Sequence, residues 1–280
     1  MIELYNKVCF EVSKIVTNRY STSFSLGILA LNKKYRDPIY SIYGLVRIAD
    51  EIVDTFHNVN KKELLDKLKS DTYKAIESEL SSNPILHSFQ LTVNKYRIPE
   101  DLIEAFFHSM EMDIYQGNYT REDYDKYVYG SAEVVGLMCL KIFVDGDEIK
   151  YQELFPQARA LGSAFQKVNF LRDLGSDVNE RNRIYLPEVF DTKKITEEEK
   201  QKLVSETEKE FQLALDGIKR LPEPVKTGVY SAYLYYIALL KKIKKSSVQT
   251  LLNQRVRVNN FHKLLLLIKA YIQTRFLKVI

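Results

Sequence analysis

Apolar residues recur at steps of three and four positions along almost the whole 280-residue chain. That spacing marks one face of an α-helix, whereas the alternating pattern of β-strands with hairpin turns is absent from the sequence. Turn-forming pairs such as Asp37-Pro38 and Asn83-Pro84 separate the periodic segments. Helices are predicted at residues 3–16, 21–30, 36–56, 61–80, 83–96, 99–116, 121–144, 147–178, 196–219, 222–245 and 247–277. We therefore predict an all-α fold.

The composition is that of one folded unit. The chain has only 10 glycines and 7 prolines, and no stretch has the composition of a flexible linker. Apolar residues make up 45% and charged residues 28%, as in ordinary globular proteins. We expect a single domain over residues 1–280 rather than two domains.

The net charge of +4 is small, but basic residues concentrate toward the end of the sequence. This basic group comprises Lys241, Lys242, Lys244, Lys245, Arg255 and Arg257. Such a group can serve phosphates, an anionic membrane surface or nucleic acid. Because no nucleic-acid recognition motif accompanies it, no nucleic-acid partner is expected.

Cellular location is addressed by three weak signals. Cys9 and Cys139 lack the spacing of a metal site or a disulfide framework, which indicates a reducing compartment. Residues 1–10 are charged and lack the apolar core of a signal peptide. The apolar run at residues 264–268 is too short to span a bilayer. We expect a cytoplasmic protein, with peripheral contact at the inner membrane face left open.

One short acidic motif occurs twice, as Asp50 with Asp54 and as Asp173 with Asp177. A four-residue spacing projects both carboxylates from one helix face. Like charges at this spacing destabilise an isolated helix by about 0.2–0.5 kcal/mol. A solvated face would explain either pair alone, so the residues around each pair decide the interpretation.

The polar residues of the first of these helices form one stripe. At about 100° per residue, the stripe contains Tyr40, Tyr43, Arg47, Asp50 and Asp54. Its other residues are predominantly apolar, and a helix that is apolar nearly all round is buried. The stripe is therefore predicted to face an internal cavity.

The second helix repeats this arrangement with Gly162, Gln166, Asn169, Asp173 and Asp177. Buried carboxylates must be paired or must bind a cation. Arg47 and Arg172 can neutralise one carboxylate each, and the remaining negative charge invites a divalent metal. Oxygen ligands without His or Cys suit Mg²⁺, with Mn²⁺ as an alternative, and Mg²⁺ commonly shares its coordination with substrate phosphates.

At these motifs the sequence resembles the squalene and phytoene synthase family, the head-to-head trans-isoprenyl diphosphate synthases. The two aspartate motifs are joined by segments similar to the family's N-terminal serine motif and central tyrosine motif. The resemblance covers residues 20–24, 43–54, 127–136, 166–177 and 182–187, and extends weakly to Tyr235 and Arg255. It implies a single-domain, isoprenoid-synthase-type helical barrel around a central substrate channel.

The resemblance also implies residue roles. The metal ligands would be Asp50, Asp54, Asn169, Asp173 and Asp177. The substrate contacts would be Ser21, Ser23, Arg47, Gln166, Asn169, Arg172, Tyr235 and Arg255. The rings of Tyr127 and Tyr43 would lie over a carbocation, because aromatic faces stabilise positive charge.

The implied reaction joins two prenyl diphosphates. One substrate ionises, and the double bond of the other attacks the allylic cation to give a cyclopropyl diphosphate. This intermediate ionises, rearranges and loses a proton, with a released diphosphate as the base because no histidine lies in any motif. The amino-acid sequences of several segments are similar to those of bacterial phytoene synthases. Gly27 and Ile28 would leave more room in the channel than a large aromatic residue. Two geranylgeranyl diphosphates without NADPH are therefore favoured, with farnesyl diphosphate and squalene or dehydrosqualene as the alternative.

A different class stays open from sequence alone, namely a non-catalytic helical binding module with structural acidic stripes. Three positions depart from the family pattern: Thr22 stands where many members have lysine, Glu133 where a small residue is common, and Glu51 follows Asp50 as a mild change that keeps the charge. Residues 255–278 are most simply a terminal helix that packs on the core. The protein is expected to be a monomer or a homodimer.

Overall fold

The computed structural model describes residues 1–115, 117–189, 191 and 195–280. The helices in these residues are α1 (Ile2–Tyr20), α2 (Thr22–Leu29), α3 (Lys33–Asp54), α4 (Lys61–Ser78), α5 (Pro84–Tyr96), α6 (Glu100–Tyr115), α7 (Arg121–Val128), α8 (Val134–Phe143), α9 (Glu148–Glu180), α10 (Glu197–Arg220), α11 (Glu223–Lys245), α12 (Val248–Asn253) and α13 (Asn260–Tyr271). Two short π-helical segments lie at Tyr129–Glu133 and Ile272–Phe276. No strand occurs in the described part of the chain, and the predicted all-α fold is confirmed.

Short polar side chains fix where many of the helices begin. Asn32, Asn83, Asp147, Thr196 and Asn259 each accept a hydrogen bond from a backbone N–H of the first helical turn. These bonds satisfy donors that a helix start would otherwise leave unpaired. The helix boundaries therefore follow closely from local sequence.

Two of the predicted helices are interrupted. The stretch 121–144 contains the π segment Tyr129–Glu133, and the stretch 247–277 breaks between α12 and α13. Asn259 ends the break by accepting a hydrogen bond from the His262 N–H at 2.8 Å. The prediction of one continuous terminal helix was wrong, because a polar cap in mid-stretch starts a new helix.

The helices surround α9, which packs against α8, α10, α11 and α12. On the other side, α3 packs against α1, α5, α6 and α8. Both α3 and α9 bury residues on most of their circumference, as their apolar composition predicts. One continuous hydrophobic core therefore places the two helices with the aspartate motifs in the middle of a single helical barrel. Among the described helices, none combines the length and the apolar character that crossing a membrane requires.

Close backbone approach holds the π segment Tyr129–Glu133 against its neighbours. A Cβ atom added to Gly162 of α9 would lie 2.5 Å from the carbonyl oxygen of Ala132. A Cβ added to Gly130 would lie 2.3 Å from the carbonyl oxygen of Ala105 on α6. Glycine is required at both positions because real Cβ atoms do not approach a backbone oxygen so closely.

This packing predicts opposite outcomes for two glycine substitutions. Gly162→Ala should destabilise the protein by about 1–3 kcal/mol, since the backbone must shift to admit the methyl group. Gly27→Ala on α2 meets its nearest neighbour at 3.6 Å and should be neutral or stabilise by up to about 1 kcal/mol through helix propensity. Urea unfolding of both variants measures the difference, and equal stabilities would contradict the close approach.

Candidate active site

A channel of about 1120 Å³ runs through the barrel. Helices α2, α3, α6, α8, α9, α10 and α11 and the segment 255–263 contribute to its wall. Its apolar lining includes Ile28, Leu31, Ile42, Phe106, Leu140, Phe143, Leu161 and Leu221. The volume is at the upper end of ordinary ligand pockets, as a large ligand would need.

The channel has an apolar body and one charged end. On α3 the lining is apolar at Ile39 and Ile42 and charged at Arg47 and Asp50. The lining of α9 changes in the same direction, predominantly apolar as far as Phe165 and polar beyond it. Because a helix advances about 1.5 Å per residue, the charged end lies toward the C-terminal ends of both helices.

The first aspartate pair is held by arginines. Arg47 donates to Asp50 at 2.9 Å and also contacts Glu51. Asp54 accepts from Arg183, on the segment after α9, at 2.7 Å. The Nε of Arg47 is buried without a hydrogen-bond partner among the described residues. An unpaired guanidinium donor at this end of the channel is suited to an anionic ligand.

The second pair is held in the same way. Arg172 donates to Asp173 at 2.9 Å, and Arg255 approaches the same carboxylate at 2.7 Å. Asp177 accepts from Arg181 at 2.9 Å. Arg181 also lies 3.6 Å from Asp54 of the first pair, so one guanidinium bridges the two motifs. Arg181 therefore links the two aspartate pairs beside the charged end of the channel, although among the four aspartates Asp50 alone is in the channel lining.

Protonation differs among these carboxyl groups. Burial and the neighbouring Asp54 raise the pKa of Asp50 to about 7, although Arg47 opposes the shift. Burial and the adjacent Asp173 raise the pKa of Asp177 to about 7. Burial also acts to raise the pKa of Asp173, but Arg172 and Arg255 hold it below its ordinary value. In each pair one carboxyl group therefore has a raised pKa, because burial and the neighbouring carboxylate together outweigh the arginine beside it.

Asp113 of α6 forms a buried centre beside the channel. Its carboxylate accepts hydrogen bonds from the hydroxyls of Tyr119 at 3.1 Å, Tyr127 at 2.7 Å and Tyr185 at 2.6 Å. The rings of Tyr127 and Tyr185 stack with centroids 5.1 Å apart. The carboxylate thus fixes the orientation of Tyr127, the ring proposed from the resemblance to face a carbocation.

Arg183 connects this centre to the first aspartate pair. One of its nitrogens donates to the Asp113 carbonyl at 2.8 Å, and the other donates to Asp54. Burial raises the pKa of Asp113, whereas Arg183 and the hydroxyls of Tyr185 and Tyr127 lower it. Three donated hydroxyl bonds are best satisfied by the ionised form, because a carboxylate is an acceptor only.

The N-terminal serine motif lies at the same end. Ser21 accepts from the Phe24 N–H at 3.2 Å and caps α2, while Ser23 and Tyr43 line the channel. The ring of Tyr20 lies 4.2 Å from the Arg47 guanidinium. The motif therefore borders the arginine that pairs with Asp50.

The polar part of α9 faces α11. Asn169 donates to Gln166 at 3.4 Å and accepts from the Tyr236 hydroxyl at 3.3 Å. Tyr235 also lines the channel, and its ring centroid lies 5.5 Å from the Lys263 Nζ. Tyr236, which sequence reasoning did not single out, is thus the tyrosine that contacts Asn169.

Glu133 and Thr22, two of the departures from the family pattern, have different surroundings. Glu133 pairs with Arg159 at 2.5 Å and is not among the residues that line the channel. Thr22 does line it, and so do the cations Lys242, Arg257 and Lys263. Positive charge is therefore supplied to the channel by Lys242 of α11 and by Arg257 and Lys263 around the start of α13.

The arrangement of the carboxylates bears on whether this site could hold magnesium. In the described ranges no three His, Cys, Asp or Glu side chains converge as a metal cage. The aspartates instead form pairs in which one carboxyl group has a raised pKa, Asp50 in the first pair and Asp177 in the second. Such pairs suit Mg²⁺, which binds through one or two carboxylates and completes its shell with waters and phosphate oxygens.

Sequence reasoning missed the residues that support the aspartates. Arg181 follows Asp177 by four positions, the spacing of a helical ion pair, so a local signal for it existed. Asp113 and Tyr119, six positions apart, belong to no motif, and Tyr185 lies in the matched segment 182–187 but received no role, because its contact with Asp113 spans 72 positions. Asp113 is one of five acidic residues of α6, and the sequence does not distinguish it from the other four.

The buried Asp113 network predicts a large stability difference between two aspartate variants. Asp113→Asn replaces one of the two oxygens that accept from three hydroxyls by an NH2 donor and removes a negative charge beside Arg183, and should cost about 3–5 kcal/mol. Asp145→Asn makes the same change at a half-exposed carboxylate that accepts from Tyr35 and Lys34 and should cost about 1 kcal/mol or less. Chemical denaturation measures both, and similar losses would contradict the assigned role of Asp113.

Comparison with known proteins agrees with this geometry. Residues 17–262 match the family model described as squalene/phytoene synthase. The chain is 29% identical to a 15-cis-phytoene synthase of Synechocystis sp., with 96% of this chain and 86% of that protein covered. It is 27% identical to a phytoene synthase of Arthrospira platensis, with 96% and 94% covered.

Among solved structures, a dehydrosqualene synthase in complex with a ligand superposes with a TM-score of 0.82. The alignment covers 98% of both chains at 21% identity, which establishes a shared fold. The non-catalytic alternative is set aside, because the family consists of prenyltransferase-type enzymes. The chain belongs to the squalene/phytoene synthase family.

Proposed function

We propose that this protein is a phytoene synthase that condenses two geranylgeranyl diphosphates head to head. The main support is the position of the two aspartate pairs. Arg181 bridges them beside the charged end of a long apolar channel. A prenyl diphosphate has the same polarity, with an anionic head and a long hydrocarbon tail. The channel can therefore hold the tail in its apolar body and the head at its charged end.

The twenty-carbon substrate is favoured by two observations. The relatives aligned over nearly the whole chain are phytoene synthases. Gly27 and Ile28 of α2 line the channel, and a large aromatic side chain at either position would narrow it. Farnesyl diphosphate, giving squalene or dehydrosqualene, is the alternative, and the assay below separates the two.

Magnesium would be held by Asp50, Asp54, Asp173 and Asp177, with the Asn169 amide oxygen. When bound, it supplies stabilisation of the negative charge that develops on the departing diphosphate. Arg47, Arg172 and Arg255 line the channel and are placed to contact the other phosphate oxygens. Ser21, Ser23, Gln166 and Tyr235 line the same region and are assigned to substrate contact.

Each of the two half-reactions releases one diphosphate and one proton. In the first, one substrate loses diphosphate, its cation bonds to the other substrate's double bond, and loss of a proton closes a cyclopropane ring. In the second, the cyclopropyl intermediate loses its diphosphate, rearranges and loses a second proton. No electrons are gained, so no NADPH is required. Tyr127 and Tyr43 lie on the channel wall, where their rings can stabilise the cations.

The proposal predicts phytoene from geranylgeranyl diphosphate and Mg²⁺ without NADPH. Asp50→Ala and Asp173→Ala should lower diphosphate release by at least about 100-fold, because they remove metal ligands. Asp37→Ala, which lies on α3 at the end remote from the motif, should leave the rate unchanged. Mass spectrometry of the hydrocarbon and a diphosphate assay provide the readouts. Turnover of farnesyl diphosphate alone would overturn the product assignment, and no turnover of either substrate would overturn the function.

The metal site also predicts a pH dependence. The pKa values of Asp50 and Asp177 are raised to about 7, so both groups hold protons below that pH and must lose them to bind metal. Thermal stabilisation by Mg²⁺ with inorganic diphosphate should therefore grow as the pH rises through about 7. Below that pH, the apparent metal affinity should fall about tenfold per unit for each proton displaced.

The matched control for this experiment is the double variant Asp50→Asn/Asp177→Asn. It keeps the shape of both side chains but cannot exchange their protons, so its residual stabilisation should follow only the titration of the added diphosphate and should vary less with pH than that of the parent protein. Equal stabilisation of the parent protein on both sides of pH 7 would contradict the assignment of these carboxyls to the metal.

A further inference from the structure

Helix α13 exposes its large apolar residues. At about 100° per residue they fall on one face. The exposed set is Phe261, Leu264, Leu265, Ile268, Tyr271 and Ile272, and it continues beyond the helix in Phe276 and Leu277. We call these eight residues the α13 apolar face. Exposed fractions run from 42% at Ile272 to 71% at Phe276, so this is a continuous run rather than a scatter of single residues.

The inward side of the same stretch has one large apolar residue, Leu266, which packs against the core, and is otherwise small and polar. Ala270 is fully buried and Thr274 is 1% exposed. Thr274 and Thr227 of α11 share a hydrogen bond of 2.8 Å, and Tyr230 donates to Gln273 at 3.0 Å. A surface helix ordinarily turns its apolar residues to the core. Here the helix does pack on α11, as expected, but most of its large apolar residues face outward.

The charge of this region is one-sided. Beyond Glu223 the sequence has eleven lysines and arginines and no aspartate or glutamate. Lys269, Arg275 and Lys278 are exposed beside the α13 apolar face. An apolar face flanked by cations alone is complementary to an apolar phase covered by anionic groups.

The face also adjoins the channel. Arg257, Asn259, Asn260 and Lys263 line the channel and belong to the segment that enters α13 and to its first turn. Phe261 and Leu264 of the α13 apolar face lie between and beside these residues in the same helical turns. A ligand that leaves the channel past this segment therefore emerges next to the exposed face.

We propose that the α13 apolar face docks the protein on a bilayer that contains anionic lipids. The apolar residues enter the boundary between headgroups and acyl chains, and the flanking cations bind the lipid phosphates. The docking rests on the surface alone, whereas its use for long-chain substrates and a hydrocarbon product rests on the proposed function. A second copy of the chain fits less well, because two such faces would bring cations against cations.

Vesicle flotation without substrate tests the apolar part. Binding to vesicles of phosphatidylglycerol and phosphatidylcholine should fall roughly tenfold or more in Leu265→Ser/Ile268→Ser. The control Leu4→Ser/Ile15→Ser on α1 removes one leucine and one isoleucine that are more exposed, at 68% and 59% against 45% and 46%. It should bind like the parent. Equal losses in both variants would overturn the assignment of the face.

The charged part is tested with a second matched pair. Lys269→Gln/Arg275→Gln/Lys278→Gln should weaken binding to the anionic vesicles, while Lys7→Gln/Lys14→Gln/Arg19→Gln removes the same residue types from α1 and should not. Parent binding should fall with added salt and should be weak on phosphatidylcholine alone. Equal binding to both vesicle types would contradict the role of the cations.

Light scattering distinguishes a bilayer from a second copy of the chain as the partner of the α13 apolar face. A dimer that Leu265→Ser/Ile268→Ser converts to monomer would show that a second copy covers the face, and would overturn the proposal. Asp50→Ala should keep full vesicle binding. Loss of activity with intact flotation thus concerns the proposed function, whereas loss of flotation in an active protein concerns the docking surface.

Discussion

The structure depends on compensating acidic groups inside a helical barrel. Burying a carboxylate without a partner costs several kcal/mol, and the channel end collects four aspartates with Asp113 close by. Compensation comes from arginines in three parts of the chain: α3, the end of α9 with the segment after it, and the segment after α12. These contacts explain why two non-helical segments are held in place, since Arg183 reaches Asp54 and Arg255 reaches Asp173.

Some of these arginines could be replaced by a metal ion as partners of the aspartates. Asp173 is paired with Arg172 and Arg255, and the side chain of Arg255 is 50% exposed. A divalent ion on Asp173 would replace that pairing and free both guanidinium groups for phosphate oxygens. Under the proposed function, the charges that hold the site together would thus become available to a bound metal and diphosphate. Arg183 differs, because it is buried and also bonds the Asp113 carbonyl, which suits a structural role.

The sequence predicted the parts that depend on local spacing. Asp50 and Asp54 share a helix face because of their four-residue separation, and the surrounding apolar residues showed that the face is internal. Asp113 was beyond reach, because its partners Tyr127 and Tyr185 lie 14 and 72 positions away and meet it only in the fold. The π segment Tyr129–Glu133 was also missed, because the apolar residues on either side of it keep the spacing of one continuous α-helix. Periodicity identifies a helix and its stripe, but it cannot reveal a tertiary contact between stripes.

Helix α13 shows a second limit of periodicity. Its apolar stripe predicts a helix with one apolar side, and the usual inference is that this side meets the core. The core side is instead determined by Ala270 and Thr274, whose small size allows close approach to α11. The apolar stripe is then free, and the absence of acidic residues beyond Glu223 gives it a cationic border. The chain thus places the four motif aspartates within the barrel and the cations Arg257 and Lys263 on the channel wall next to α13, a distribution that favours the approach of anionic amphiphiles.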